Sequence, residues 1–170
     1  QRALDNGVTL DKIFNCIINV RKKSQVHLAF LEYFNTILYY GAEKFVKKCE
    51  EIGIDGLIIP DLPKEERDEM QPYINASSVS LIPLVAPNSK GRIKSVIDCG
   101  SGFVYCVSSL GVTGVRQEFY REVEVFLQEV RENTTLPLAV GFGISKTDDV
   151  IKLKPYVDGV IIGSAIVKKI

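Results

Sequence analysis

The sequence predicts an α/β fold, a parallel sheet with helices outside it, and three observations point that way. Short runs rich in Val, Ile and Leu alternate with amphipathic stretches along 170 residues, the pattern of repeated β-α units. The run Phe103–Val107 stops at Ser108-Ser109 and opens into a loop containing Gly111 and Gly114. A buried parallel strand delivers a ligand loop at its carboxyl end in this way. Two more glycine turns, Gly141-Phe142-Gly143-Ile144-Ser145 and Gly163-Ser164-Ala165, follow the next two strand-like runs. Glycine lets backbone approach an anion closely, and a free helix N-terminus then aims N–H donors at it. None of these turns contains Lys or Arg, so the predicted ligand chemistry is a phosphate held mainly by backbone.

The elements follow in order. Leu10, Ile13, Phe14, Ile17 and Ile18 mark an amphipathic helix over Thr9–Lys23, with Thr9 as its N-cap. Val26–Leu31 reads as the first strand. A second helix runs from Gly41 to Ile52 and stops at Gly53, a C-terminal cap. Asp55–Ile59 is the second strand, ending in Pro60-Asp61-Leu62-Pro63, and Lys64–Tyr73 the helix after it, with Pro63 and Glu65-Glu66 suiting its start. Ser80–Val85 is the third strand, and a helix follows Asn88-Ser89 as far as Asp98. Beyond Phe103–Val107, Phe119, Val123, Phe126, Leu127 and Val130 line one side of the longest helix, Gln117–Arg131. Pro137–Val140 is a strand, Ser145–Leu153 a helix opened by a Ser145/Asp148 capping box, and Val157–Ile162 the last strand before a final helix.

That makes six strands, at Val26, Asp55, Ser80, Phe103, Pro137 and Val157. An open doubly wound sheet accommodates six, whereas a (β/α)8 TIM barrel needs eight and about 250 residues. The glycine turns favour the barrel, whose phosphate site lies in the loops after its seventh and eighth strands, with a short helix adding its N-terminus. The expectation is a single domain over residues 1–170, carrying about six of the eight β/α units of a TIM barrel, strands 3 to 8. No composition shift or low-complexity tract divides it. Lys+Arg and Asp+Glu balance at 21 each, which excludes an electrostatic footprint for nucleic acid or an anionic membrane. Apolar runs are strand-length and broken by Gly or Pro, and no basic stretch with an apolar run opens the sequence. Neither a bilayer span nor an export signal is expected, and a cytoplasmic location is, or an organellar stroma in a plastid-bearing source. Cys16, Cys49, Cys99 and Cys106 form no C-x-x-C pair and read as reduced core thiols, with no metal site.

The motifs Pro60-Asp61-Leu62-Pro63, Gly111-Val112-Thr113-Gly114, Gly141-Phe142-Gly143-Ile144-Ser145 and Gly163-Ser164-Ala165-Ile166-Val167 occur in one order and spacing. That set resembles the tryptophan synthase alpha subunit family. Leu31-Glu32-Tyr33-Phe34-Asn35 is similar to the end of that family's third strand, and Gln1-Arg2-Ala3 to the start of the preceding helix. Thr36 departs from the proline common there, and Asn88-Ser89 from a Thr pair. The resemblance implies a lyase performing retro-aldol cleavage of indole-3-glycerol phosphate to indole and glyceraldehyde 3-phosphate. It also implies a beta-subunit partner in an alpha2beta2 complex, which carries the pyridoxal phosphate, and no cofactor in this chain. The family's acid/base Glu and its indole-holding Asp fall upstream of the segment matched by Gln1-Arg2-Ala3, so no residue here is assigned a catalytic role.

The resemblance assigns Gly114, Gly143, Gly163 and Ser164 to the phosphate. Leu31, Tyr33, Ile58, Leu84, Phe142 and Ile161 would wall the substrate pocket, Tyr105 would lie near the glycerol, and Thr113 would orient the upstream Asp. As isolated strand-end residues, the same apolar side chains also read as plain core. Asn35, Asp61, Leu62 and Pro63 would support the site or meet the beta subunit; Asp61 reads equally as a cap for the helix after it. His27 reads as structural, and Glu65-Glu66 and Lys168-Lys169 as solvated helix faces. Indole-glycerol-phosphate synthase or a sugar-phosphate isomerase would share the glycine turns without the PDLP and GVTG motifs. A catalytically silent regulatory partner of a beta subunit is the alternative outside enzymes.

Overall fold

The computed structural model describes residues 2–62, 64–89, 91–107, 116–141, 144 and 146–170. It divides into two compact units, Gln1–Ser80 and Leu81–Ile170.

In the first unit, α1 (Arg2–Asp5) and α2 (Leu10–Arg21) precede β1 (Ala29–Leu31), α3 (Phe34–Tyr40), α4 (Ala42–Glu51), β2 (Gly56–Ile58) and α5 (Gln71–Asn75). Thr9 caps α2 as expected, its hydroxyl accepting the Lys12 N–H. Strands β1 and β2 are parallel, with Ala29 opposite Gly56 and Leu31 opposite Ile58. Helix α2 buries Phe14 and α4 buries Phe45, and these rings pack with Phe30 and Tyr40 at centroid distances of 5.5–6.4 Å. Tilted and edge-on contacts of this kind add to plain apolar burial. Gly53, at φ +79, ends α4, a left-handed turn that favours glycine.

The second unit carries β4 (Leu84–Val85), α6 (Ile93–Ile97), β5 (Val104–Val107), α7 (Arg116–Glu132), β6 (Leu138–Gly141), α8 (Thr147–Leu153), β7 (Gly159–Ile161) and α9 (Ser164–Val167). Its strands run in the order β4-β5-β6-β7 and every pair is parallel. Alternate residues Val85, Val104, Cys106, Leu138 and Val140 point into one core with Phe126, Leu127 and Val130 of α7 and Leu153 of α8. The period of two in the strands meets the helical period there.

Several boundaries differ from the sequence expectation. Ser80–Val85 is not one strand: β3 (Ser80–Leu81) ends the order β1-β2-β3, while β4 belongs to the other sheet, so the described residues carry seven strands rather than six. The break falls at Ile82-Pro83, where proline has no N–H for a ladder. Strand β1 starts at Ala29, not Val26, because the Leu28 N–H is taken by the Asp55 carboxylate at 2.8 Å. Lys64–Tyr73 divides into a 3-10 stretch, Lys64–Glu69, and α5, since Pro72 cannot donate the bond a continuous helix requires. The helix expected between Ser89 and Asp98 is shorter, Ile93–Ile97, and starts beyond Gly91, whose φ is +77; the residues Pro87–Ser89 before it form a 3-10 turn. Ser145 lies outside the described residues, and the capping carboxylate of α8 is Asp149 rather than Asp148, accepting the Lys146 N–H at 3.2 Å. Cys49 and Cys106 are core thiols, but Cys16 is exposed and Cys99 half-buried; none of the four is in a disulfide.

Each unit closes its strand pair with an arginine and an aspartate. Arg21, last in α2, donates to the Val26 carbonyl at 2.5 Å and to Asp55 Oδ2 at 2.8 Å. Arg131, in the last turn of α7, donates to the Leu136 carbonyl at 3.2 Å and to Asp158 Oδ2 at 2.5 Å, and that oxygen also accepts the Leu138 N–H at 2.7 Å. Both carboxyls are held below the usual carboxylate range, first by the Leu28 or Leu138 backbone N–H and with help from the arginine. His27 is exposed and places Nδ1 3.2 Å from Asp55 Oδ1, in keeping with a structural role.

Candidate functional site at the strand carboxyl ends

In the second unit the register aligns Leu84, Tyr105, Ala139 and Gly159 in one row, and Val107, Gly141 and Ile161 in the row two residues nearer the carboxyl ends. Alternation puts both rows on the face opposite the helix-packed core. Small residues dominate the β6–β7 side of that face, and the Tyr105 ring lies in the space they leave. A Cβ added at Gly141 would come within 2.8 Å of Tyr105 Cε2 and Oη and 3.0 Å of Ile161 Cβ. Gly141 is therefore the residue that lets Tyr105 lie flat across the β6 end. Tyr105 is only 9% exposed, and burial raises its phenol pKa, so the hydroxyl stays protonated as a donor at neutral pH.

Gly163 differs from Gly141. Its φ is −108°, and a Cβ there would meet nothing within 4 Å, so it faces open space. Its carbonyl accepts the Ile166 and Val167 N–H groups at 2.9 and 3.1 Å and so starts α9, and Ser164 beside it is exposed. Of the sequence-predicted residues in this unit, Leu84, Tyr105 and Ile161 share one sheet face, and Gly163-Ser164 follows two residues past Ile161. Thr113, Gly114, Phe142 and Gly143 lie outside the described residues.

In the first unit, Ile58 is buried between Leu57 and Ile59, whereas Leu31 is 55% exposed and Tyr33 60%. Asp61 Oδ1 accepts the Phe34 N–H at 2.8 Å. Asp61 thus caps the helix before it in sequence, α3, an option the sequence reading did not contain. Leu62 is 7% exposed and secures its turn from inside, with its N–H on the Ile59 carbonyl at 3.3 Å. Asn35 is exposed, and Pro63 lies outside the described residues. Helix α3 itself was missed as an element, and so was the part played by Gly141. The signal for Gly141 was present: a glycine in the last strand position, two residues after an alanine, on the face of a tyrosine. No group of three metal-ligating side chains occurs among the described residues, and none of their helices is long and apolar enough to cross a membrane.

Parallel β-α units with turns of this kind at the strand ends define an α/β protein of the (β/α)8 TIM-barrel class. The tryptophan synthase alpha chain family matches residues 1–170, and the chain belongs to that family. It is 50% identical over 170 residues to the tryptophan synthase alpha chain of Alkaliphilus metalliredigens, covering all of this chain and 64% of that protein. With its counterpart from Thermoanaerobacter sp. it shares 47% over 170 residues, covering 65% of that protein. The chain thus spans a little under two thirds of the length of these relatives. Among solved structures, the alpha subunit from Campylobacter jejuni gives a TM-score of 0.88 at 38% identity, covering 98% of this chain and 66% of that one. The tryptophan synthase a2b2 complex from Pyrococcus furiosus gives 0.90 at 34%, covering 98% and 68%.

Proposed function

We propose that the full-length protein cleaves indole-3-glycerol phosphate to indole and glyceraldehyde 3-phosphate, as an alpha subunit working with a beta subunit in tryptophan biosynthesis. The family match across residues 1–170 carries this reading. In this chain the second unit supplies the phosphate end of the substrate site. Backbone N–H groups of Gly114, Gly143 and Gly163 and the Ser164 hydroxyl bind the phosphate, which suits three strand-end turns free of Lys and Arg. Tyr105, Leu84, Ile161, Phe142 and Thr113 flank the glycerol and indole; the protonated Tyr105 hydroxyl is a donor to a glycerol oxygen. In the first unit Leu31, Tyr33 and Ile58 are assigned to the indole, and Asn35, Asp61, Leu62 and Pro63 to support of that face and to the partner.

Cleavage needs an acid to protonate the indole ring and a base to take the glycerol hydroxyl proton. Neither group is assigned to an acidic residue of these 170. The chain's own part is binding and orientation: fixing the phosphate positions the reacting carbon relative to the acid and base. Pyridoxal phosphate belongs to the beta subunit, and the complex works in the cytoplasm. The deciding experiment incubates the full-length protein with indole-3-glycerol phosphate. Indole and glyceraldehyde 3-phosphate released in equal amounts, faster with a bacterial beta subunit present, support the proposal. A folded protein that releases neither, with or without beta subunit, overturns it.

A further inference from the structure

At the carboxyl end of β1, consecutive N–H groups find acceptors of different kinds. The Glu32 N–H continues the ladder to the Ile58 carbonyl at 3.0 Å, and the Tyr33 N–H donates to Glu32 Oε1 at 2.9 Å. The Phe34 N–H donates to Asp61 Oδ1 at 2.8 Å. The Tyr33 carbonyl accepts the Thr36 and Ile37 N–H groups at 3.1 and 3.4 Å, so α3 begins there. Tyr33 thus stands alone between the last strand bond and the first helical turn. Its backbone, at φ −76° and ψ 145°, is extended and carries the pleat one residue further. Leu31 and Tyr33 therefore share the face away from Phe30, whose ring packs with Phe14 of α2 and Phe45 of α4. On that face Leu31 stands beside Ile58 in the register.

We infer that Glu32 is a positioning residue for the substrate pocket: by holding the Tyr33 N–H, its carboxylate sets the place of the Tyr33 ring as a wall for the indole. The inference rests on the proposed function, which assigns Leu31, Tyr33 and Ile58 to the indole. The two carboxylates at this turn have different work to do. Asp61 holds the N–H of Phe34, whose ring is 6% exposed and fixed by packing as well. Tyr33 is 60% exposed, so packing does not fix its ring, and the direction of its side chain follows from its backbone. The carbonyl side of Tyr33 is anchored by α3 and the N–H side by Glu32. Half-buried Glu32 gives up side-chain freedom to fold back onto the next residue, in exchange for a charge-assisted hydrogen bond. Removing that acceptor leaves Tyr33 anchored from one side only.

The test compares wild type, Glu32→Ala and Glu32→Gln in the full-length protein. It reads kcat and KM for indole-3-glycerol phosphate, calorimetric affinities for indole and for glyceraldehyde 3-phosphate, and amide exchange at Tyr33. Loss of one hydrogen bond corresponds to roughly a two- to tenfold effect. Glu32→Ala is expected to weaken indole binding and raise KM within that range, and to speed exchange at Tyr33. Affinity for glyceraldehyde 3-phosphate should stay at the wild-type value. Glu32→Gln keeps an acceptor oxygen and retains most of the indole affinity. Wild-type indole affinity and KM in Glu32→Ala overturn the inference while leaving the proposed function standing. Equal weakening of both ligands also overturns it, since that marks a general loosening of the fold. If wild type cleaves no substrate and binds no indole, the pocket role fails together with the proposed function. The exchange data then still decide whether Glu32 holds the Tyr33 N–H.

Discussion

Replacing Gly141 by alanine tests whether the glycine at the β6 end is there for Tyr105. The new Cβ would sit 2.8 Å from Tyr105 Cε2 and Oη and 3.0 Å from Ile161 Cβ, against ordinary contacts of 3.4 Å or more. Tyr105 is too buried to swing aside into solvent. Overpacking of this kind costs about 1–3 kcal/mol. Gly→Ala removes unfolded-state freedom worth about 0.4–1 kcal/mol in the other direction. The net expectation is a loss of roughly 0.5–2 kcal/mol, or about 2–8 °C in Tm for a protein of this size. The decisive form is a double-mutant cycle in the full-length protein, by urea unfolding. Tyr105→Ala alone destabilises through its cavity, but Gly141→Ala then costs less, with a coupling of about 1 kcal/mol or more. Tyr105→Phe removes Oη and leaves Cε2, so it restores little. Additive effects, or an unchanged melt for Gly141→Ala, would show that Gly141 is not required by the Tyr105 ring.

Gly100→Ala brings a Cβ within 2.6 Å of Pro83 Cδ and 2.9 Å of the Leu81 carbonyl oxygen, whereas Gly163→Ala meets nothing within 4 Å. Urea unfolding should show a loss of about 1–3 kcal/mol for the first and little for the second; equal losses contradict the packing. Asp158 has a depressed pKa when folded, so its contribution is present above the unfolded value of about 3.9 and lost as pH falls through the folded one. The Tm gap between wild type and Asp158→Asn should therefore be widest near pH 7 and close below about pH 4, and a gap independent of pH rules the pairing out. Burial pushes the Cys49 and Cys106 thiols up to about 12, while Cys16 is exposed. Brief alkylation at pH 8 followed by peptide mapping should label Cys16 and spare those two; equal labelling would contradict their burial.

The parallel order and the helix-packed face are legible in the sequence because Val85, Cys106 and Val140 alternate with the residues that face away. The caps at Thr9 and Gly53 are legible too, since each acts within a turn of its own residue. What escapes is whatever depends on partners distant in the chain. Helix α3 is rich in aromatic and β-branched residues and takes its cap from Asp61, so nothing local announces it. The shortening of β1 follows from a carboxylate 27 residues on, and the division of Ser80–Val85 from the sheet each half joins. At the candidate site the glycine turns stand out by composition. The role of Gly141 emerges only when the register brings Tyr105 and Ile161 against it.

Phosphate binding by the strand-end turns of the second unit is tested by Gly163→Asp in the full-length protein, with glyceraldehyde 3-phosphate titrated by calorimetry. Gly163 has an ordinary φ of −108° and open space around it, so the fold should tolerate the side chain. A carboxylate about 5 Å from a phosphate charge, at an effective dielectric near 20, costs roughly 3 kcal/mol, or about a hundredfold in Kd. That loss of affinity is expected with an unchanged Tm. Wild-type affinity in a variant that folds normally would show that the phosphate does not sit at this turn.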